Sequence, residues 1–186
     1  MRNGINTALV AHTGHADWYD RIAMLPREAY RVQNAKDTIR RANKPVVPGR
    51  VVAGVTFEFW TSLLSAGAGP QGYGTALWSP NNAALIQQAF PFLTPPNQNR
   101  SFVHRRFNTI RLLRNRVSHH EPIWRGLRLQ SRQLIPLADL HADVIDAIGW
   151  VNPTLQTTVV AFDRFPNALN NGYPAIERDL RQHLGI

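Results

Sequence analysis

SFVHRRFNTIRLLRNRVSHHEPI, residues 101–123, contains the strongest helical signal in the chain. Val103, Phe107, Ile110, Leu113 and Val117 recur at three- and four-residue steps. That spacing lines one face of an α-helix with apolar groups, and Ser101 is the expected N-cap. At about 100° per residue Arg114 falls inside this stripe, near the line through Val103, Ile110 and Val117. A bare guanidinium in an apolar setting costs several kcal/mol, so Arg114 is expected to have a partner, or to face a cleft or a subunit contact. Pro122 disfavours the helical conformation at Glu121, which predicts a helix end near His120.

Arginine and histidine at one helix end suit chemistry on a phosphodiester. Arginine is a permanently charged fork that can hold two phosphate oxygens, and histidine exchanges a proton near neutral pH. Together they could cleave RNA without a metal, with a 2′-hydroxyl as nucleophile, Arg114 offsetting charge on phosphorus, and His119 or His120 moving the proton. Asn115 could orient either group. The spacing alone is weak, because Arg followed four to six residues later by His should occur about twice by chance in a chain this rich in arginine. Arg178 and His183 form such a pair. Context distinguishes the first instance: Asn115 directly after the arginine, the doubled histidine, and Glu121-Pro122 at the helix stop. A metal reading of His119-His120-Glu121 is disfavoured because neighbouring helical residues diverge by about 100°. Without further context, two histidines at a helix C-terminus read as dipole stabilisation.

Around this point the residues resemble a family. Arg114 to Ile123 looks like the RN-x-x-x-HHEPI block of Abi-like (abortive-infection) proteins, a branch of the HEPN superfamily. Pro48 to Trp60 resembles that family's TPGRVVAxLTFGFW helix, and Ile148 to Pro153 its LGWISP turn. The resemblance implies a HEPN-like helical bundle and a metal-independent endoribonuclease of phage defence or of a toxin–antitoxin system. The implied catalytic residues are Arg114, Asn115, His119 and His120, with RNA contacts from Arg111, Arg116 and Arg125. It implies no cofactor, and as partners RNA, a second copy docked through the Arg114 helix, and an antitoxin or other defence component. The alternatives are a non-catalytic, arginine-rich module that binds RNA or a protein, and a defence subunit inert without its partner. Met1 to Asn6 resembles the family's LRNAIH segment, which relatives place after a further helix. An apolar groove is therefore expected near Ile5 and Leu9.

Composition bounds the reading. The 186 residues suit a single domain spanning residues 1–186, able to bury about two-thirds of its unfolded surface. Absence of cysteine fits a reducing cytosol and removes thiol catalysis and thiolate-bound zinc. No signal peptide or membrane-length apolar run stands out, which points to a cytoplasmic protein without a membrane partner. The net charge of +9, carried by arginine except at Lys36 and Lys44, favours an anionic partner, nucleic acid first.

Elsewhere helices dominate, and the fold class is all-α. Residues 3–13 form a helix closed by Gly14 with Ile5 and Leu9 inward, and His12 and His15 outside. Pro26 opens a second helix that buries Ala29, Val32, Ala35 and Ile39 and carries Arg27, Arg31, Lys36, Arg40 and Arg41 on its other faces. Such a row is usually a solvated face, with nucleic-acid contact as the sharper alternative. From Pro48 the pattern fits strand or helix. Length and the resemblance favour one helix with Val52, Val55, Phe59 and Leu63 inward. Gly67 to Gly74 reads as a flexible loop, Ser79-Pro80 opens a short helix through Phe90, and Thr94 to Asn97 is a linker. Arg125, Arg128 and Arg132 punctuate a segment through Leu134. A helix with Leu137, Leu140, Val144 and Ile148 inward follows. Asn152-Pro153 caps one burying Leu155, Val159 and Phe162, and Pro174 opens the last, with Ile176, Leu180 and Leu184. No segment demands a strand. His104, His141 and His183 read as surface or boundary residues, and Trp60, Trp78 and Trp150 as core.

Overall fold

The computed structural model describes residues 1–67, 72–79, 83–95 and 97–185. Helices α1 (Arg2–Thr13), α2 (Pro26–Arg41), α3 (Pro48–Gly54), α4 (Phe57–Leu63), α5 (Tyr73–Ala76), α6 (Ala83–Ala89) and α7 (Arg100–Ser118) come first, with a 3-10 turn at Trp18–Asp20 after α1. Beyond α7 come strands β1 (Leu127–Arg128) and β2 (Leu134–Ile135), then helices α8 (Leu137–Gly149), α9 (Pro153–Phe162) and α10 (Phe165–Leu184). The all-α class holds. Among the described residues the exception is the antiparallel β1–β2 pair, with Leu127 opposite Ile135 and Arg128 opposite Leu134. Two-residue strands are too short to display an alternating period, so the sequence pattern carried no sign of them. Contacts gather into two compact units, Met1–Arg111 and Leu112–Ile186. Among the described residues no helix is long and apolar enough to cross a membrane.

In the first unit α1 ends at Gly14, whose φ of 72° is the left-handed closure that glycine adopts without strain. Ile5 and Leu9 are fully buried. The groove expected beside them is closed within the unit, because α6 lies against α1 so tightly that a side chain at Gly4 would strike the Ala89 carbonyl. Trp18, Phe59 and Trp60 pack as an aromatic cluster, with Trp18 and Trp60 ring centres 5.9 Å apart. The Trp18 Nε1–H donates to Asn6 Oδ1 at 2.9 Å. Trp60 and Trp78 are core residues, as expected.

Pro26 starts α2, and Val32 and Ala35 are buried. The expected Ala29, however, faces solvent, and Glu28 takes the inward place at 3% exposure. A buried carboxylate needs donors. The Tyr73 hydroxyl supplies one, donating to Glu28 Oε2 at 3.2 Å while accepting from the Leu25 N–H at 3.0 Å. Burial, followed by the nearby Glu28 charge, pushes the Tyr73 phenol up to about 12. Tyr73 is thus an anchor within the stretch read as a flexible loop, where Gly67, with a φ of 71°, and Gly72 cross too closely for side chains. Tyr73→Phe is expected to lower stability by about 1–3 kcal/mol, since a half-buried N–H and a buried carboxylate each lose a partner. The urea midpoint, at unchanged slope, measures it.

The basic row of α2 is largely matched by carboxylates. Arg27 and Arg31 reach Glu58 at 2.6 and 2.7 Å, Lys36 reaches Asp20 at 2.5 Å, and Arg40 reaches Asp37 at 2.7 Å. Glu58 is desolvated, but the Arg31 hydrogen bond and the Arg31, Arg27 and Arg111 charges hold its carboxyl below the usual range. Each such surface pair is worth at most about 1 kcal/mol, so it lowers rather than removes the pull of these cations on phosphate.

The helix expected from Pro48 is two helices. Val55 is extended, and the Thr56 hydroxyl caps α4 by accepting from the Phe59 N–H at 3.4 Å. Gly54 sits 3.3 Å from the Ala35 methyl, measured from an added Cβ, so α3 meets α2 where both are small. Pro80 and the start of the following helix lie outside the described residues. The cap of α7 is Asn99 rather than Ser101: its Oδ1 accepts from the Phe102 N–H at 2.8 Å. Val103 and Phe107 are buried, Ile110 and Leu113 are half-buried, and Val117 is 52% exposed. His104 is half-buried, and burial, then Arg100 and Arg111, lower its pKa.

In the second unit α8 buries Leu140, Asp143 and Ala147, while Leu137, Val144 and Ile148 are half-buried. Asn152 caps α9 as expected, accepting from the Leu155 N–H at 2.9 Å. The face of α9 differs from expectation, with Leu155 50% and Phe162 81% exposed. The Gln156 side chain fills the space over Gly149, turning Gln156, Val159 and Asp163 toward α8 and the longer apolar groups away. Helix α10 begins at Phe165, not Pro174. Pro166 occupies its first turn, where a missing N–H costs nothing, and the helix continues through Pro174. The side chains of Ile176 and Leu180 lie outside the described residues, and Leu184 is exposed. His141 is a boundary residue, as expected. Its Nε2 is 2.7 Å from Asp163 Oδ2 and its ring stacks on Phe165 at 4.4 Å.

Candidate functional site

The last turn of α7 closes by a specific pattern of backbone bonds. The His119 N–H donates to the Asn115 carbonyl at 2.9 Å, His120 to Val117 at 3.1 Å, and Glu121 to Arg116 at 2.9 Å. The last two are the paired bonds of a Schellman closure, which requires a left-handed residue at the position of His120. His120 has a φ of 56°. Glycine usually occupies this place, because a Cβ there meets the following carbonyl. The helix therefore continues through His119 and turns sharply at His120, so the two imidazoles leave the chain from different backbone conformations. His120→Gly is expected to raise stability by about 0.5–1 kcal/mol, and His120→Ala to give no such gain, read from thermal or urea midpoints.

Arg114, Asn115, His119 and His120 are all exposed. Arg114 lies on the part of the apolar stripe that reaches the surface by Val117. Arg116 Nε lies 3.5 Å from Glu121 Oε2 across the closed turn. Arg111 belongs to the first unit, where its Nε and Nη2 donate to Asn108 Oδ1 at 3.1 and 2.9 Å. It is half-buried.

Directly after the histidines a pocket of about 450 Å³ opens, walled by Arg116, Pro122, Trp124, Arg125, Gly126, Arg128 and Leu134. The Arg125 guanidinium lies 4.2 Å from the Trp124 ring centre, a cation–π contact. Arg128 donates from Nη1 to the Arg132 carbonyl at 3.3 Å. Gly126, with a φ of 84°, lets the chain pass against the Ile135 carbonyl where any side chain would collide, and its N–H donates to the Ile123 carbonyl at 2.8 Å. Backbone closure thus holds the pocket wall. Two of the three expected RNA contacts, Arg116 and Arg125, meet here. Trp124 and Leu134 escaped the sequence reading. The available signal was an aromatic residue beside an arginine just past a helix stop. Among the described residues no group of three histidine or carboxylate side chains converges as a metal-ligand set.

No family model, no curated protein and no solved structure matches this chain.

Proposed function

We propose that this protein is a metal-independent endoribonuclease of the Abi-like branch of the HEPN superfamily, with a HEPN-like bundle, acting in phage defence or a toxin–antitoxin pair. The observation that carries the reading is the exposure of Arg114, Asn115, His119 and His120 around one helix end beside an arginine-lined pocket. The 2′-hydroxyl attacks its own phosphodiester, a histidine accepts the hydroxyl proton, and the departing 5′ oxygen takes a proton from a second imidazole or from the same one. Arg114 offsets the charge gathering on phosphorus, and Asn115 orients a neighbour. His119 is the first choice for the proton carrier and His120 the second. The products carry a 2′,3′-cyclic phosphate and a free 5′-hydroxyl. Two copies pair through α7, whose half-buried Ile110 and Leu113 and exposed Val117 offer an apolar contact.

The test is to incubate the purified protein with end-labelled RNA in EDTA and identify the new ends. Cyclic-phosphate products in EDTA support the mechanism. Complete loss of cleavage in EDTA, restored by magnesium, would overturn it. The pocket by itself also favours a second reading, a non-catalytic RNA-binding module, which retains RNA without cutting it under any of these conditions.

A further inference from the structure

We propose that the pocket beside the α7 end receives one unpaired nucleotide, so that the protein selects single-stranded RNA over duplex. The pocket volume of about 450 Å³ is that of a small-molecule site. Its walls combine apolar and cationic groups, joined in part by the contact of Arg125 with the Trp124 ring. Trp124 and Leu134 expose 41% and 48% of their surfaces, and three guanidiniums, from Arg116, Arg125 and Arg128, surround them. Apolar surface open to water is unfavourable, and clustered cations repel, yet a nucleotide satisfies both. Its base covers the apolar wall and its phosphate meets the arginines. Glu121 lies 3.5 Å from Arg116, and among the residues lining the pocket three arginines and no carboxylate leave it basic.

Selectivity follows from where a base face is available. In a duplex both faces of each base are stacked on neighbours, so only an unpaired or flipped base can enter. Pro122 and Gly126 constrain the backbone of the wall, the first by its ring and the second by its left-handed turn. The position also matters for cleavage. Pro122 lies two residues after His120, which limits their Cα separation to about 7 Å. A nucleotide in the pocket therefore brings an adjoining phosphate to the histidines. This last step rests on the proposed cleavage at the helix end, whereas binding in the pocket does not.

The experiment uses a fluorescein-labelled oligoribonucleotide with every 2′-hydroxyl methylated, which cannot be cut by 2′ attack, as a single strand and as a blunt duplex. Fluorescence polarisation is expected to give single-strand affinity about 10-fold or more above duplex affinity. Trp124→Ala is expected to weaken single-strand binding about 10-fold with the salt dependence unchanged, and Trp124→Phe to restore most of the loss. Arg128→Ala should instead reduce the slope of log affinity against log salt by about 1. Equal affinity for the two forms, or a Trp124→Ala protein with wild-type urea midpoint and wild-type binding, overturns the inference. If Trp124→Ala shifts the midpoint, the Trp124→Phe protein decides, and loss of selectivity with an intact ring overturns it too. Tryptophan-dependent binding without cleavage of unmodified RNA keeps this inference and removes the nuclease reading. Cleavage with unselective binding does the reverse.

Discussion

Arg114→Ala and His119→Ala are each expected to slow RNA cleavage by about 10²–10⁴-fold, the range seen when a charge-stabilising group or a proton carrier is removed. Both side chains are exposed, so stability should move by less than about 1 kcal/mol and the loss would not reflect unfolding. Single-turnover cleavage of labelled RNA, with urea midpoints measured in parallel, gives both quantities. Arg114→Lys separates charge from shape: it keeps the cation but not the two-pronged grip, so an intermediate rate is expected. The order of the histidines is read from the same assay. His120→Gly keeps the left-handed turn closed, so any deficit it shows belongs to the imidazole rather than to a distorted helix end. Should His119→Ala retain full rate while His120→Gly loses it, the order is reversed. Wild-type rates in Arg114→Ala would remove the proposed mechanism.

Mixing inactive Arg114→Ala and His119→Ala chains, under conditions that let subunits exchange, is expected to restore about a quarter of wild-type activity. The helix continues through His119, whose N–H binds the Asn115 carbonyl, so Arg114 and His119 leave α7 about 140° apart. One phosphate cannot easily meet both from a single helix. If two copies of α7 pair about a two-fold axis, an arginine of one chain faces a histidine of the other, and each mixed dimer has one intact site of two. Since half the dimers are mixed at equal proportions, about a quarter of the sites work. A mixture no more active than its components excludes a shared site, as does full activity of a monomer diluted far below its association constant. Val117→Asp offers an independent check, because a charge on the exposed end of the stripe should weaken pairing and cleavage together.

The legible part of the candidate site was its place at one helix end. Arg114, Asn115, His119 and His120 are contiguous enough that one helix and one proline stop define their neighbourhood. Trp124 and Leu134 were not legible as a pair, since they meet Arg116 and Arg128 only once residues 127–135 fold back through β1 and β2. The left-handed turn at His120 was also hidden, because Pro122 announces that the helix stops but not by which closure.

Local rules governed what the sequence by itself determined. The start of α2 at Pro26, the Asn152 cap of α9, the end of α1 at Gly14 and the helical class all depend on groups within a few residues of one another. Tertiary structure decided the rest. Periodicity marks which side of a helix is apolar, but not which side a neighbour will cover. Gln156 over Gly149 rotates α9 and leaves Phe162 in water. Tyr73 draws Glu28 inward across a separation of 45 residues, and Asp20 and Glu58 engage cations of α2 that read as a solvated face. Each outcome depends on a partner brought from elsewhere in the chain, and hydrogen bonds, ion pairs and close packing act over a few ångströms of space whatever the distance along the sequence.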